Sequence, residues 1–179
     1  MTGRIVVGVD GSASAGDAVD WAADDASRRG QSLRIVHICE QFGAHYAEGT
    51  DYCREMVAAV VERARERAPG VEVTPAMLAG NVIETLNGES ESADCIVLGS
   101  RGLGGFTGLV LGSVGLGVAA HASGPVIIVH HPPSTPHGEI VVGFDGSEHA
   151  AEAMGYAIEQ ARARSARLHV VYAWQAPAV

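Results

Sequence analysis

Short, largely apolar runs alternate along this chain with longer stretches in which apolar residues return every three or four positions. The runs are Arg4 to Val9, Leu33 to Cys39, Val71 to Leu78, Cys95 to Leu98 and Val126 to Val129. Each run predicts a strand; the continuous Arg4 to Val9 reads as buried on both faces and Cys95 to Leu98 as a buried strand. Between them, Ala15 to Arg29 reads as a helix with Ala18, Trp21, Ala22 and Ala26 on one face and Gly30 closing it. Asp51 to Ala68 carries Met56, Val57, Val60, Val61 and Ala64 on one face and stops at Pro69-Gly70. Its Glu62, Arg63, Arg65, Glu66 and Arg67 read as a solvated face with i,i+4 pairs. Gly80 to Ser92 gives a weaker helical signal, interrupted by Asn87-Gly88, and Gly112 to Ala122 a further helix. Pro75 places the third strand at a sheet edge, because proline cannot donate to a ladder. Trp21 and His37 read as packed residues. Alternation of this kind predicts a parallel sheet with helices on both faces.

The opening pattern then returns. The stretch from Ile140 to Trp174 lines up without a gap on the stretch from Ile5 to Cys39, at a constant offset of 135. Asp10 falls on Asp145, Ser12 on Ser147, Trp21 on Tyr156 and Leu33 on Leu168. The sequence therefore divides into a domain at 1–130, a Pro- and His-containing linker at 131–137, and a partial second copy at 138–179. That copy reaches only its second strand, so a shortened product is expected. His130 and His131 read as linker residues rather than metal ligands.

Composition narrows the classes. Of 179 residues, 47% are hydrophobic and 18% charged, enough apolar material for a core. A formal net charge of −9 argues against a sequence-independent nucleic-acid binder, which needs a basic footprint. No run approaches the roughly 18 apolar residues of a membrane span, and no signal peptide is visible at MTGRIVVGVDG. Cys39, Cys53 and Cys95 lack CxxC spacing and read as reduced thiols of a cytoplasmic protein, with no metal expected.

The candidate chemistry lies after the fourth strand. Gly99, Gly102, Gly104, Gly105 and Gly108 form a glycine-rich loop that leaves through Gly112-Ser113 into a helix. Strand, glycine loop and helix start together suit a phosphate: glycines admit close backbone approach, and the first helical turn presents unpaired N–H groups. Ser113 is expected to cap that helix. A Walker loop is excluded, since the chain has no lysine. The dinucleotide fingerprint is absent after the first strand, where only Gly8-Val9-Asp10-Gly11 stands. Asp10 ends that strand, where open α/β sheets place ligand-binding groups; a turn or cap role is the alternative, with Ser12 or Ser14 able to cap instead.

The spacing Gly99-x2-Gly102-x9-Gly112-Ser113 resembles the nucleotide loop of the universal stress protein family. The repeated opening is similar to that of tandem members of this family. The resemblance implies a Rossmann-like open parallel five-stranded sheet, order 3-2-1-4-5, followed here by a partial β-α-β repeat. It implies ATP, with Mg²⁺, as ligand: Asp10 at the ribose, backbone of Ile38 at adenine, Gly99, Arg101 and Gly102 along ribose and phosphate, and Gly112, Ser113 and Val114 at the phosphates. Where the family often has a second Ser or Thr after Gly-Ser-Val, this chain has Gly115, so one phosphate hydrogen bond is expected to be lost. Homodimers joined at Val126 to Val129 are implied as well. The expected role is a regulatory, nucleotide-binding stress protein with slow ATP hydrolysis at most. The alternatives are an interaction module of this fold without nucleotide, and a related α/β nucleotide hydrolase.

Overall fold

A computed structural model describes residues 3–39, 46–102, 111–130 and 138–174, with backbone alone at 46–50. The chain separates into two compact units, Met1–Pro132 and Pro133–Val179. In the first, β1 (Arg4–Gly8), α1 (Ala13–Arg29), β2 (Ser32–Cys39), α2 (Tyr46–Arg67), β3 (Val73–Ala79), α3 (Val82–Ser90), β4 (Cys95–Gly99), α4 (Ser113–Ala119) and β5 (Val126–Val129) alternate along the sequence. The strands form one parallel sheet in the order β3-β2-β1-β4-β5. Ile5 stands opposite both Leu33 and Cys95, and Val7 opposite both Ile35 and Val97. This flush register makes β1 the centre of the core.

Strand periodicity divides the core in two. Ile5, Val7, Leu33, Ile35 and Val97 face one side, where α1 and α2 cover them with Ala18, Val19, Ala22, Val57, Val61 and Ala64. Val6, Val36, Ile96 and Leu98 face the other, with Leu86 of α3 and Val118 of α4. Side chains on both faces of β1 are fully buried, which explains why its sequence is continuously apolar rather than alternating. Pro75 sits in β3 at the sheet edge, as the missing N–H requires.

Several elements differ from the sequence expectation. Helix α3 runs through Asn87-Gly88 to Ser90 without interruption. Leu86, 2% exposed, anchors it, and Ser90 Oγ donates to Asn87 O at 2.6 Å, so packing outweighs the roughly 1 kcal/mol penalty of a helical glycine. Helix α4 ends at Ala119 rather than Ala122. Arg63 and Arg67 are not part of a purely intrahelical charge pattern. They cross to α1 and pair bidentately with Asp20 (2.6 and 2.7 Å) and Asp24 (2.8 Å twice), because α1 and α2 lie side by side with matching i,i+4 rows. Trp21 packs, half-buried, against the α1/α2 core.

The second unit contains β6 (Glu139–Gly143), α5 (Glu148–Arg164) and β7 (Arg167–Val171), with β6 and β7 in a two-stranded parallel sheet. The expected linker at 131–137 lies outside the described residues. Among the described residues, no helix is long and apolar enough to cross a membrane.

Candidate functional site

The sheet order reverses between β1 and β4, and in open α/β sheets the carboxyl ends of the strands at this switch point flank the ligand crevice. Asp10 lies just past β1. Its Oδ1 accepts the Ser12 N–H at 3.0 Å, and Ser12 Oγ in turn accepts the Ala15 N–H at 3.1 Å as the N-cap of α1. Gly11 between them has φ +85, a left-handed conformation that glycine adopts without a Cβ clash. The turn thus holds Asp10 through one carboxylate oxygen. The other oxygen faces the far wall of the crevice: a Cβ at Gly102 would lie 2.5 Å from Asp10 Oδ2. Asp10 and Gly102 are therefore in direct apposition across the switch point.

Gly99 has a different reason to be glycine. A Cβ there would stand 2.5 Å from Ser14 Oγ and 2.6 Å from the Ser14 carbonyl oxygen, so the end of β4 presses on the first turn of α1. Ser14 Oγ also accepts the Arg101 N–H at 3.4 Å. Ser100, 5% exposed, donates its N–H to Val129 O and accepts the Gly112 N–H on its carbonyl, both at 2.9 Å. These bonds tie both ends of the glycine loop to the sheet. Ser12, not Ser14, is the cap of α1, so Ser14 serves the loop instead; Ser100 carried no chemical signature in the sequence beyond its place beside Gly99. Gly104, Gly105 and Gly108 lie outside the described residues.

Gly112, not Ser113, is the N-cap of α4, with extended backbone (φ −73, ψ 159) and no side-chain cap bond. Ser113 is the first helical residue and is exposed. The first helical hydrogen bond is Leu116 N–H to Gly112 O, so the N–H groups of Ser113, Val114 and Gly115 precede the ladder. Gly115 is buried. A Cβ there would meet Leu111 Cδ1 at 2.9 Å and Ile128 Cδ1 at 3.1 Å, so a hydroxyl at this position would start among apolar atoms. Arg101 is exposed.

On the other flank, β2 runs past the end of β1. The β1–β2 register ends at Gly8–Val36, with a last bond from Val9 N–H to Val36 O at 2.9 Å. Val36 thus points its backbone groups to the β1 side. By the two-residue strand period, Ile38 does the same, beyond the last rung. A cavity of about 330 Å³ lined by Gly30, Gln31, Gly70 and Glu72 opens at the opposite end of the sheet, away from this crevice.

One cluster next to the site was not visible in the sequence. His37 and Cys39, two apart in β2, share a sheet face with Cys53 of α2, and their ligand atoms all lie within 4.8 Å of one another. His37 Nε2 is 3.2 Å from Cys53 Sγ, and Nδ1 is 2.8 Å from Val9 O. Burial raises the Cys39 thiol pKa above its usual value, and the neighbouring Cys53 adds to the rise.

The sequence model of the universal stress protein family matches residues 1–130 and 137–179. The chain belongs to this family. A universal stress protein of Mycobacterium tuberculosis is 32% identical over 95% of the chain, and the chain spans about three-fifths (62%) of that relative's length. The solved structure of a universal stress protein in complex with cAMP is 27% identical, with a TM-score of 0.61 over 73% of this chain and 98% of that one. A universal stress protein of Archaeoglobus fulgidus in complex with dAMP is 26% identical, with a TM-score of 0.59 over 71% and 97%.

Proposed function

We propose that the first unit binds ATP, with Mg²⁺, in the crevice between β1 and β4, and that this universal stress protein acts by binding nucleotide rather than by rapid catalysis. The observation that carries the reading is the close apposition of Gly102 and Asp10 across the β1/β4 switch point, where a Cβ at residue 102 would stand 2.5 Å from Asp10 Oδ2. In this reading Asp10 accepts from the ribose, and the backbone of Ile38 pairs with the adenine edge. Gly99, Arg101 and Gly102 line the ribose and phosphate side. The N–H groups of Gly112, Ser113 and Val114, with the Ser113 hydroxyl, meet the phosphates. The relatives solved with cAMP and dAMP support an adenine nucleotide. Hydrolysis, if present, is slow. The chain has no lysine to neutralise developing phosphate charge.

The first unit is read as the complete nucleotide domain, 1–130, and 138–179 as a partial second copy of a tandem arrangement, giving one site per chain. We also propose a cytoplasmic homodimer joined at β5. Pro125 and Val129 carbonyls point toward β4, so Val126 and Ile128 turn their backbone groups to the open edge. Light scattering should then exceed a monomer mass, and Val126→Pro, which removes an outward N–H, should return the monomer.

A thermal-shift titration tests the ligand. ATP binding only the folded state adds about 2.7 kcal/mol at a hundredfold excess over Kd. Gly102→Ala, which drives a methyl group onto Asp10, should remove the shift. No shift in the parent chain up to roughly millimolar ATP with Mg²⁺ would overturn the reading.

A further inference from the structure

We propose that His37, Cys39 and Cys53 form a three-ligand site for a thiophilic metal ion, Zn²⁺, at the carboxyl end of β2. Residues two apart on a strand project from one face, so His37 and Cys39 both meet α2, and Cys53 is the helix residue that lies over them. The Val9 carbonyl can only accept, so His37 Nδ1 carries the proton and donates to it at 2.8 Å. That leaves the Nε2 lone pair directed at the thiols, with Cys53 Sγ 3.2 Å away. A histidine held by a backbone carbonyl on one nitrogen and offering the other is the usual outer-shell arrangement of a metal ligand.

The dimensions agree. Three ligands at about 2.0–2.3 Å on a tetrahedral ion stand about 3.6–3.8 Å apart. The donor atoms here are within 4.8 Å of one another, so side-chain adjustments of about an ångström close the site. Two thiolates and an imidazole are a zinc-type donor set, and three protein ligands leave the fourth position open. An ion there would cross-link α2 to β2 beside the crevice. Cys53 is one turn before Met56, whose Cγ is 3.4 Å from where a Cβ at Gly11 would lie. The proposal is independent of nucleotide binding.

The test uses the full reduced chain, stripped with a chelator and titrated with Zn²⁺ against a competing indicator, and with Co²⁺ as a spectroscopic probe. One equivalent should bind, and the Co²⁺ complex should show thiolate-to-metal charge transfer and tetrahedral d–d intensity. Cys53→Ser should weaken Zn²⁺ binding more than about 100-fold, beyond the 10–100-fold that loss of an outer-shell partner costs. His37→Gln tests the imidazole separately, should one variant fail to fold by circular dichroism. Cys95→Ser, which alters a thiol in β4 outside the cluster, should bind as the parent does. A Co²⁺ spectrum without thiolate charge transfer, Zn²⁺ affinity indifferent to Cys53→Ser, or a Cys39–Cys53 disulfide forming in place of metal uptake would each overturn the site.

Discussion

Residues 4–39 and 139–174 carry the same local instructions and end in different surroundings. Strand β6 begins and ends 135 positions after β1, and α5 begins and ends 135 positions after α1. The N-caps match closely: Ser12 has φ −72 and ψ 158, Ser147 φ −74 and ψ 161, and each hydroxyl accepts the N–H three residues on at 3.1 Å. Gly11 and Gly146 share the same left-handed turn, at φ +85 and +88. Burial does not match. Val6 is fully buried, whereas its counterpart Val141 is 65% exposed. Helix limits, caps and turns thus follow from a few neighbouring residues, while burial comes from β4, β5 and the helices between, which the described second unit lacks. The same holds for chemistry. Asp10 meets Gly102 only because β4 lies next to β1. Asp145 has the same turn and, in the described residues, no strand of that kind beside it.

Cutting the chain at the boundary of the two units should separate a stable piece from an unstable one. A piece of residues 1–132 should unfold cooperatively and keep the ATP response. Residues 133–179 fall below the roughly 55–65 residues of the smallest domains that commonly fold alone, and they expose Val170, Tyr172 and Trp174. Circular dichroism of that piece should show no cooperative thermal transition. A cooperative transition in the isolated piece would mean that its local code suffices for a fold. Calorimetric titration of the whole chain should return about one ATP, since among the described residues only the first unit combines an Asp turn with a β4 glycine wall.

A paired substitution at Gly8 and Gly143 isolates the packing term. A Cβ at Gly8 would sit 2.7 Å from Leu98 Cδ2 and 3.4 Å from Leu86 Cδ2, two buried side chains with little room to move. At Gly143 nothing lies within 4 Å. Gly8→Ala should destabilise by about 1–3 kcal/mol in denaturant unfolding of the first unit. Gly143→Ala should stay within about 0.5 kcal/mol. Equal effects would show that the two positions are not packed as differently as their surroundings indicate.

Helix C-caps supply a smaller contrast. Gly30 closes α1 at φ 62, and Ser165 closes α5 at φ 51, so the second copy holds a Cβ in the left-handed region. That conformation costs a non-glycine residue about 1 kcal/mol. Gly30→Ser should therefore lower the stability of the first unit by about 1 kcal/mol, and Ser165→Gly should raise that of the second by a similar amount. Opposite signs are the diagnostic outcome, read in the whole chain from amide hydrogen exchange of α1 and of α5 in each variant.

How far the sequence could be read follows the same division between local and non-local causes. The strands β1 and β4 were legible because both of their faces are buried, so their residues are apolar without a break. Asp10 and the glycines could each be singled out within their own segment, but their apposition depends on the pairing of β1 with β4. Ser113 was misread as a cap because Ser and Gly stand side by side at 112–113, and only the backbone angles decide between them. Gly115 was read as a lost hydroxyl contact, although its side-chain direction is toward Leu111 and Ile128. Arg63 and Arg67 looked like solvated charges because their partners belong to another helix. His37, Cys39 and Cys53 gave no signal because strand and helix contribute separately, and no ligand spacing links them.

The smallest effect concerns Asp145. Hydrogen bonds from Ser147, its hydroxyl first and its backbone N–H at 2.9 Å second, hold this carboxyl below the usual aspartate pKa. A carboxylate with a depressed folded pKa contributes stability that is present above its unfolded pKa. That contribution is lost as pH falls through the folded value. Neutral pH therefore contains the whole contribution, and acid removes it. Asp145 is fully exposed, so solvent screening keeps the effect small. A carbon-detected NMR titration of the Asp145 carboxyl should show it ionising below an unfolded-chain aspartate. Ser147→Ala, which deletes the leading donor and keeps the N–H, should move the midpoint back up. An unchanged midpoint in Ser147→Ala would mean that the turn acts through its backbone alone. The Asp-Gly-Ser unit would then be a cap in both copies, and its carboxylate would owe nothing to the serine hydroxyl.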